Sequence, residues 1–278
     1  MDIKDITFVI TTYKSENTVY NCLNSLPKEV SKIVIENSNN VDLKIDLEKK
    51  YENLQCYLMT ENLGYGKANN IGIHKSESDY VFILNPDAKL LKNTLNDLCQ
   101  VLSQEDFSIA APLDIKEKNK FVFKNKRIID VDFVKGFAML LNKKKMNNEF
   151  FDEKIFLYLE EIDLCKRVKN INGRIIIVNT LIEHLGGLSH GKRNDLEMEK
   201  ARNWHWMWSK FYYNKKYNGY FFGLINTLPN FFTALFKCCY YSLIRNKYKK
   251  DIYKMRLLGL LESYMLNDSY YRPYVLKD

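Results

Sequence analysis

Asp79-Tyr80-Val81-Phe82-Ile83-Leu84-Asn85-Pro86-Asp87 is an apolar, β-rich run that stops abruptly on three turn formers. The same shape occurs twice upstream. Ile6-Thr7-Phe8-Val9-Ile10-Thr11 ends in Tyr13-Lys14-Ser15-Glu16-Asn17, and Lys32-Ile33-Val34-Ile35-Glu36 ends in Asn37-Ser38-Asn39-Asn40. A further β-like run, Gln55 to Met59, leads into Glu61-Asn62-Leu63-Gly64-Tyr65-Gly66. Between the strands, Val19, Cys22, Leu23 and Leu26 share a helical face closed by Pro27, and Ala68, Ile71 and Ile73 mark another helix. Strands alternating with helices predict an α/β fold, a mostly parallel sheet flanked by helices. In such sheets the ligand crevice lies outside the carboxyl ends of the strands. Three of those ends carry polar groups: Thr11/Tyr13, Glu36/Asn37 and Asn85/Asp87.

The second half is less regular. Phe133 to Leu141 is an apolar run with Gly136 near its start, and Leu157 to Arg167 reads as the opening of a helix. Arg174 to Val178 is expected to be the last strand, followed by a compact loop, His184-Leu185-Gly186-Gly187-Leu188-Ser189-His190. The boundary predicted from this is a catalytic domain over 1–190 and a helical, aromatic region over 191–278.

Composition narrows the class. With 46% hydrophobic and 27% charged residues over 278 positions, the chain is globular in character. The six cysteines form no C-x-x-C pair, which argues against a zinc ribbon or a disulfide framework and for reduced thiols. Met1-Asp2-Ile3-Lys4-Asp5 does not read as a leader, so a cytoplasmic protein is expected. The net charge of +8 is uneven: Ser189 to Asp278 holds 16 basic and 7 acidic residues, or +9, leaving −1 for the rest. That charge alone suits nucleic acid, anionic lipid or a phosphorylated substrate, but no nucleic-acid-binding motif accompanies it.

Three motifs carry chemistry. Asp87, just past a buried strand, suits a hard divalent cation that binds phosphate, although Asn-Pro-Asp also makes an ordinary capped turn. Glu160, Glu161 and Asp163 crowd the start of a helix behind Phe156, Leu157, Tyr158 and Leu159. They either complement the helix dipole or, poorly solvated, include a carboxylate with the raised pKa of a general base. His184 is a metal ligand or a turn histidine, with glycines after it that let the chain approach a ligand.

Taken in order, Val9-Ile10-Thr11-Thr12-Tyr13, Glu36-Asn37-Ser38, Asn62 to Gly72, Asn85-Pro86-Asp87, Gly136-Phe137-Ala138-Met139-Leu140, Phe151-Asp152-Glu153 and Tyr158 to Leu164 resemble the family-2 glycosyltransferases of GT-A fold. The nearest branch is the bacterial rhamnosyltransferase-like enzymes of surface-polysaccharide assembly, and the resemblance covers about the first 190 positions. It implies that Thr11, Tyr13 and Glu36 hold the nucleotide base and ribose, and that Asn62, Gly64, Lys67 and Asn70 line a second part of that pocket. Asn85 joins the donor site, Asp87 and His184 hold Mg or Mn against the diphosphate, and Gly136 and Phe137 line the donor sugar. Glu161 becomes the base, with Glu160 and Asp163 orienting it or binding the acceptor. The family usually places Asp where this chain has Glu161 and Glu36. The implied partners are a nucleotide-diphosphate sugar and a glycan or lipid-linked acceptor. A catalytically degenerate sugar- or nucleotide-binding module is the alternative, and a nucleotidyltransferase would need a Gly-rich triphosphate loop after the first strand that Thr11 to Glu16 does not supply.

The C-terminal third admits three readings. Trp204, Trp206 and Trp208 and the apolar run Gly219 to Ile244 are helix packing, a membrane span, or a helical appendage lying on an anionic membrane surface at the inner face of the cell membrane.

Overall fold

The computed structural model describes residues 2–186 and 195–273. Nine strands form one mixed sheet among the described residues: β1 (Ile6–Thr12), β2 (Ser31–Glu36), β3 (Leu54–Leu58), β4 (Tyr80–Leu84), β5 (Ala88–Leu90), β6 (Ile109–Asp114), β7 (Ile128–Asp130), β8 (Ala138–Asn142) and β9 (Ile175–His184). The order is β3-β2-β1-β4-β8-β6-β9-β5, with β7 on β9. Strands β1 to β4 are mutually parallel, β8 runs antiparallel to both β4 and β6, and β9 is parallel to β6.

Helices α1 (Glu16–Asn24), α2 (Val41–Lys50), α3 (Tyr65–Lys75), α4 (Thr94–Leu102) and α5 (Glu160–Asn170) cover the sheet. Period-two alternation in β1 sends Ile6, Phe8 and Ile10 to one face, against Val19 and Leu23 of α1, Leu47 of α2 and Leu98 of α4. Val9 points to the other face, with Ala68 and Ile73 of α3 and Leu164 and Val168 of α5. Each fully buried side chain of this kind contributes about 1.5–3 kcal/mol, so two apolar faces on one sheet fix the layer order. The central strands are buried on both sides, which is why they read as unbroken apolar runs.

One contact sets how closely α3 approaches β1. A Cβ on Gly72 would stand 2.4 Å from Val9 Cγ1. Gly72→Ala is therefore expected to destabilise by about 1–2 kcal/mol, overpacking outweighing the gain in helix propensity. Thermal melting should show Tm lowered by several °C.

The last strand differs from the sequence expectation. It does not stop at Val178 but continues to His184, through an irregularity where the register jumps from Pro112↔Val178 to Leu113↔Leu181. Asn179 and Thr180 take up the extra length there, and the strand then pairs antiparallel with β5. His184 is thus a strand-end residue rather than a loop residue. Gly187 to His190 of the expected loop lie outside the described residues.

Backbone contacts divide the chain into two compact units, Met1–Asp152 with Glu161–Gly191, and Glu153–Glu160 with Lys192–Asp278. In the second unit α6 (Asp195–Asn218), α7 (Tyr220–Leu243) and α8 (Lys247–Tyr264) pack together. Trp204 and Trp208 are buried there with Met255, and Phe211 and Met207 with Leu260, so these three α6 aromatics are core, while Trp206 is exposed. His205 is buried between Ser269 Oγ and the Tyr271 carbonyl, and that burial pushes its pKa down to about 3. No helix among the described residues is long and apolar enough to cross a membrane.

Candidate active site

Two antiparallel ladders assemble the centre. Pairing of β4 with β8 sets Leu84 opposite Ala138, and the Asn85 N–H donates to the Phe137 carbonyl at 2.8 Å. Pairing of β5 with β9 sets Ala88 opposite His184, and the Leu185 N–H donates to the Asp87 carbonyl at 3.1 Å. Asn85, Asp87, Phe137 and His184, four residues spread over a hundred positions, therefore share one strand-end cluster. The Phe137 ring stacks on the His184 imidazole, with centroids 4.2 Å apart and planes within 7°.

The electrostatics of the cluster suit a cation. His184 Nε2 lies 3.3 Å from Asp87 Oδ1, and His184 Nδ1 lies 3.9 Å from Asp114 Oδ2. Asp87 Oδ1 and Asn85 Oδ1 are buried without a hydrogen-bond partner among the described residues. A buried carboxylate oxygen left without a partner is costly unless a cation or ligand satisfies it. No group of three His, Cys, Asp or Glu side chains able to hold a metal occurs among the described residues. One carboxylate completed by phosphate and water is a pattern Mg uses with nucleotides, and Asp87 supplies that carboxylate with the His184 imidazole beside it. The residues fit that ion.

Asp114 was not read from the sequence as a site residue. It ends β6, whose internal Pro112 disguises the strand, and only the parallel register Asp114↔Ile182 brings it toward His184. Its carboxylate faces the imidazole nitrogen turned away from Asp87. Outer carboxylates of this kind fix the tautomer and orientation of a ligating histidine. Lys116 Nζ reaches the His184 and Leu185 carbonyls at 2.5 and 3.0 Å and ties down the same strand end.

A second network runs along the ends of β1 and β2. The buried Glu36 accepts from the N–H groups of Ser38 and Asn40 and from the Ser38 hydroxyl, which makes it an organiser of its own turn. Burial raises its pKa against the lowering effect of those bonds. Asn37 Nδ2 donates to Asn62 Oδ1 at 2.9 Å, and Asn37 Oδ1 accepts from the Leu63 N–H. Asn62 Oδ1 also accepts from the Gly64 N–H, at the positive φ of 83° from which α3 starts. Thr11 Oγ1 donates to Asn69 Oδ1, Asn69 Nδ2 donates to the Tyr65 carbonyl, and the Tyr65 hydroxyl donates to the Gly136 carbonyl at 2.6 Å. The expected nucleotide residues are thereby linked to the expected sugar residues. Of the connecting members, Asn37 is legible in the sequence at a polar strand end and Tyr65 and Asn69 only within the segment from Asn62 to Asn70, none with a role of its own.

Not every expected residue faces this crevice. The Asn70 amide bonds both the N–H and the carbonyl of Phe151, so it fastens α3 to that segment. Asp163 is fully buried and accepts from Arg167 Nε at 2.9 Å, while the Arg167 guanidinium also reaches the Phe150 carbonyl. Such an aspartate braces α5 and has no surface for an acceptor. The Tyr13 N–H donates to Ser15 Oγ after β1, and Lys67 is exposed on the first turn of α3.

Glu160 and Glu161 open α5 directly after Tyr158 and Leu159, both at φ 69°. Two successive non-glycine residues in the left-handed region are a strained entry to a helix, of the kind found at functional sites. In the second unit, Ser209 Oγ donates to the Leu157 carbonyl and Tyr158 packs edge-on against Trp206, which holds that entry. Glu161 Oε2 is buried without a hydrogen-bond partner among the described residues. Burial raises its pKa, opposed by the backbone N–H groups of Glu161 and Ile162 at the helix start. A Cβ on Gly136 would meet Glu161 Cβ at 3.4 Å, so the residue before Phe137 is also the neighbour of this carboxylate.

Known proteins similar to this chain are sugar transferases. The hexosyltransferase Agl10 of low-salt glycan biosynthesis in Haloferax volcanii is 23% identical over 208 residues, covering 64% of this chain and 67% of that protein. The poly(ribitol-phosphate) beta-N-acetylglucosaminyltransferase TarS of Staphylococcus aureus is 27% identical over 105 residues, which is 34% of this chain and only 18% of TarS. Among solved structures, residues 1–349 of TarS superpose with a TM-score of 0.54 at 15% identity, covering 96% of this chain and 93% of that one. The mannosyltransferase PcManGT of Pyrobaculum calidifontis, in complex with GDP-Man and Mn2+, gives 0.55 at 11% identity over 93% and 86%. These likenesses show the fold, a GT-A sheet flanked by helices with a helical C-terminal part. The model of the family described as Glycosyl transferase family 2 matches residues 7–164, more than half of the chain. The order of motifs, the strand-end cluster and that match together place the chain in glycosyl transferase family 2.

Proposed function

We propose that the chain is an inverting, metal-dependent glycosyltransferase that moves a hexose from a nucleotide-diphosphate sugar to a hydroxyl of a glycan or lipid-linked acceptor. The observation that carries this reading is the buried Asp87 Oδ1, without a hydrogen-bond partner among the described residues and 3.3 Å from His184 Nε2, at the carboxyl ends of the strands. Asp87 and His184 would hold Mg or Mn, with Asp114 orienting the imidazole. When bound, the ion neutralises charge on the diphosphate that leaves.

Glu161 takes the proton of the acceptor hydroxyl as that oxygen bonds to the anomeric carbon and the carbon–diphosphate bond breaks. A single displacement from the opposite face inverts the anomeric centre, with oxocarbenium character in the transition state. Burial of Glu161 makes it a stronger base once ionised than an exposed carboxylate. Asp163, held by Arg167, keeps the first turn of α5 in place, and Glu160 flanks the base. Thr11, Tyr13, Glu36, Asn62, Gly64 and Lys67 form the nucleotide side, with Asn70 supporting it from behind, and Asn85, Gly136 and Phe137 form the sugar side. The names of Agl10, a hexosyltransferase of glycan biosynthesis, and TarS, a poly(ribitol-phosphate) beta-N-acetylglucosaminyltransferase, support sugar transfer to a glycan or polymer, and a role in surface-polysaccharide assembly is our extension of them. Rhamnose as the sugar, and a cytoplasmic protein at the inner face of the cell membrane, are our extension of that reading.

A thermal-shift screen with UDP-, dTDP- and GDP-sugars, each with Mn or Mg, tests it. At a donor concentration near 100 Kd, stabilisation of about 2.7 kcal/mol is expected for the cognate donor. That shift should fall away with EDTA. Absence of a shift with every donor contradicts the proposal.

A further inference from the structure

Helix α7 is built inside out for a water-facing helix. Its buried residues are the small Gly223, Thr227 and Ala234, while the bulky apolar ones point outward. Phe221 is 79% exposed, Ile225 68%, Phe232 58%, Phe236 71% and Leu243 82%. Leu228, Leu235, Cys239 and Tyr240 extend the same stripe along the whole helix. The small residues face inward because α6 is close: a Cβ on Gly223 would meet the Phe211 ring at 3.0 Å and the Lys215 backbone N at 3.2 Å. Contiguous exposed apolar patches beyond a few hundred Å² mark interaction surfaces.

Charge says what covers the stripe. The only charged residue of α7 is Lys237, and it is turned away toward the Tyr253 hydroxyl at 3.1 Å. The sequence holds no acidic residue from Gly219 to Lys250, while Lys215 and Lys216 precede the helix and Arg245, Lys247, Lys249 and Lys250 follow it. Pairing two copies through α7, parallel or antiparallel, would set these cations against each other at both ends. An anionic leaflet satisfies the stripe and the cations at once.

We propose that α7 lies in the plane of an anionic lipid bilayer, its stripe from Phe221 to Leu243 entering the acyl boundary and the flanking lysines meeting headgroup phosphates. This goes beyond the transfer reaction and stands on the second unit alone. In-plane binding also agrees with the lack of a helix able to cross the membrane among the described residues.

The test uses the full chain and vesicles of phosphatidylcholine with or without about one-third phosphatidylglycerol, by co-sedimentation. Binding is expected only with phosphatidylglycerol and should weaken as salt rises. Lys247→Gln, Lys249→Gln and Lys250→Gln should each weaken it roughly fivefold. The combined Phe221→Ser, Ile225→Ser, Phe232→Ser and Phe236→Ser variant should lose binding by at least about 100-fold while keeping its thermal shift with donor. Should that variant fail to fold, an environment-sensitive fluorophore on Cys239 of the otherwise unchanged stripe gives the answer, with Cys238→Ser to keep the label single. Its emission should shift to the blue on anionic vesicles. No binding, equal binding to neutral vesicles, an unshifted Cys239 label, or a dimer that the four-serine variant converts to monomer would each overturn the proposal.

Discussion

Glu161→Gln is expected to lower kcat by about 10²- to 10⁴-fold, the usual contribution of a general base, while leaving donor binding intact. The same substitution should raise the Tm of the free protein at neutral pH. Burial lifts the pKa of Glu161 above its unfolded value. Such a group contributes stability that is fully present below the unfolded pKa, about 4.3 for glutamate, and lost as pH rises through the folded value. Above that folded value the fold carries a buried carboxylate with an oxygen that finds no hydrogen-bond partner among the described residues, and Gln relieves that cost. A rise of a few °C is the expected scale. Since only the carboxylate accepts a proton, kcat/KM of the unsubstituted enzyme should climb with pH along a limb displaced above the ordinary glutamate range. Pre-steady-state turnover, donor titration and melting curves on one pair of proteins read all three effects. Near-normal transfer by Glu161→Gln would move the base elsewhere.

Asp87→Ala is expected to reduce kcat/KM by about 10³-fold, the loss of several kcal/mol of charge stabilisation on the diphosphate. Donor-induced thermal shifts should also lose their dependence on Mn or Mg. The fold itself should tolerate the change, because the Asp87 carbonyl keeps its bond from Leu185 and the buried orphan oxygen disappears. An unchanged or higher Tm without ligands is therefore predicted, in contrast to the ordinary cost of removing a buried polar partner. Tm lowered by many degrees would show that Asp87 is a structural cap of the Asn85–Ala88 turn instead.

Much of this centre was legible in the sequence. Strands β1, β2 and β4 are buried on both faces, so their apolar runs and the turn residues that end them announced the sheet and three of its polar carboxyl ends. Glu161 could be suspected because apolar Phe156 to Leu159 precede it. What the sequence hid was register. His184 was expected in a loop after a strand ending at Val178, and only the irregularity at Asn179 and Thr180 carries the strand on to face Ala88. Asp114 was concealed by Pro112, and its partner lies 70 positions away. Asn70 and Asp163 match functional motifs, yet their side chains are spent on the Phe151 backbone and on Arg167. A motif fixes the residue type, whereas burial and hydrogen bonding decide which way it serves. The α7 run illustrates the same limit: its hydrophobicity was plain, but that its small residues turn inward and its large ones outward follows only from the packing of α6.

The most direct test of the central claim is release of nucleoside diphosphate from the donor that gives the thermal shift, with Mn present, for the unsubstituted protein, Glu161→Gln and Asp87→Ala. Metal-dependent release that EDTA stops, with both variants reduced at least about 100-fold, is the predicted result. Release that persists in EDTA, or that both variants support at the unsubstituted rate, would contradict the assignment of this centre.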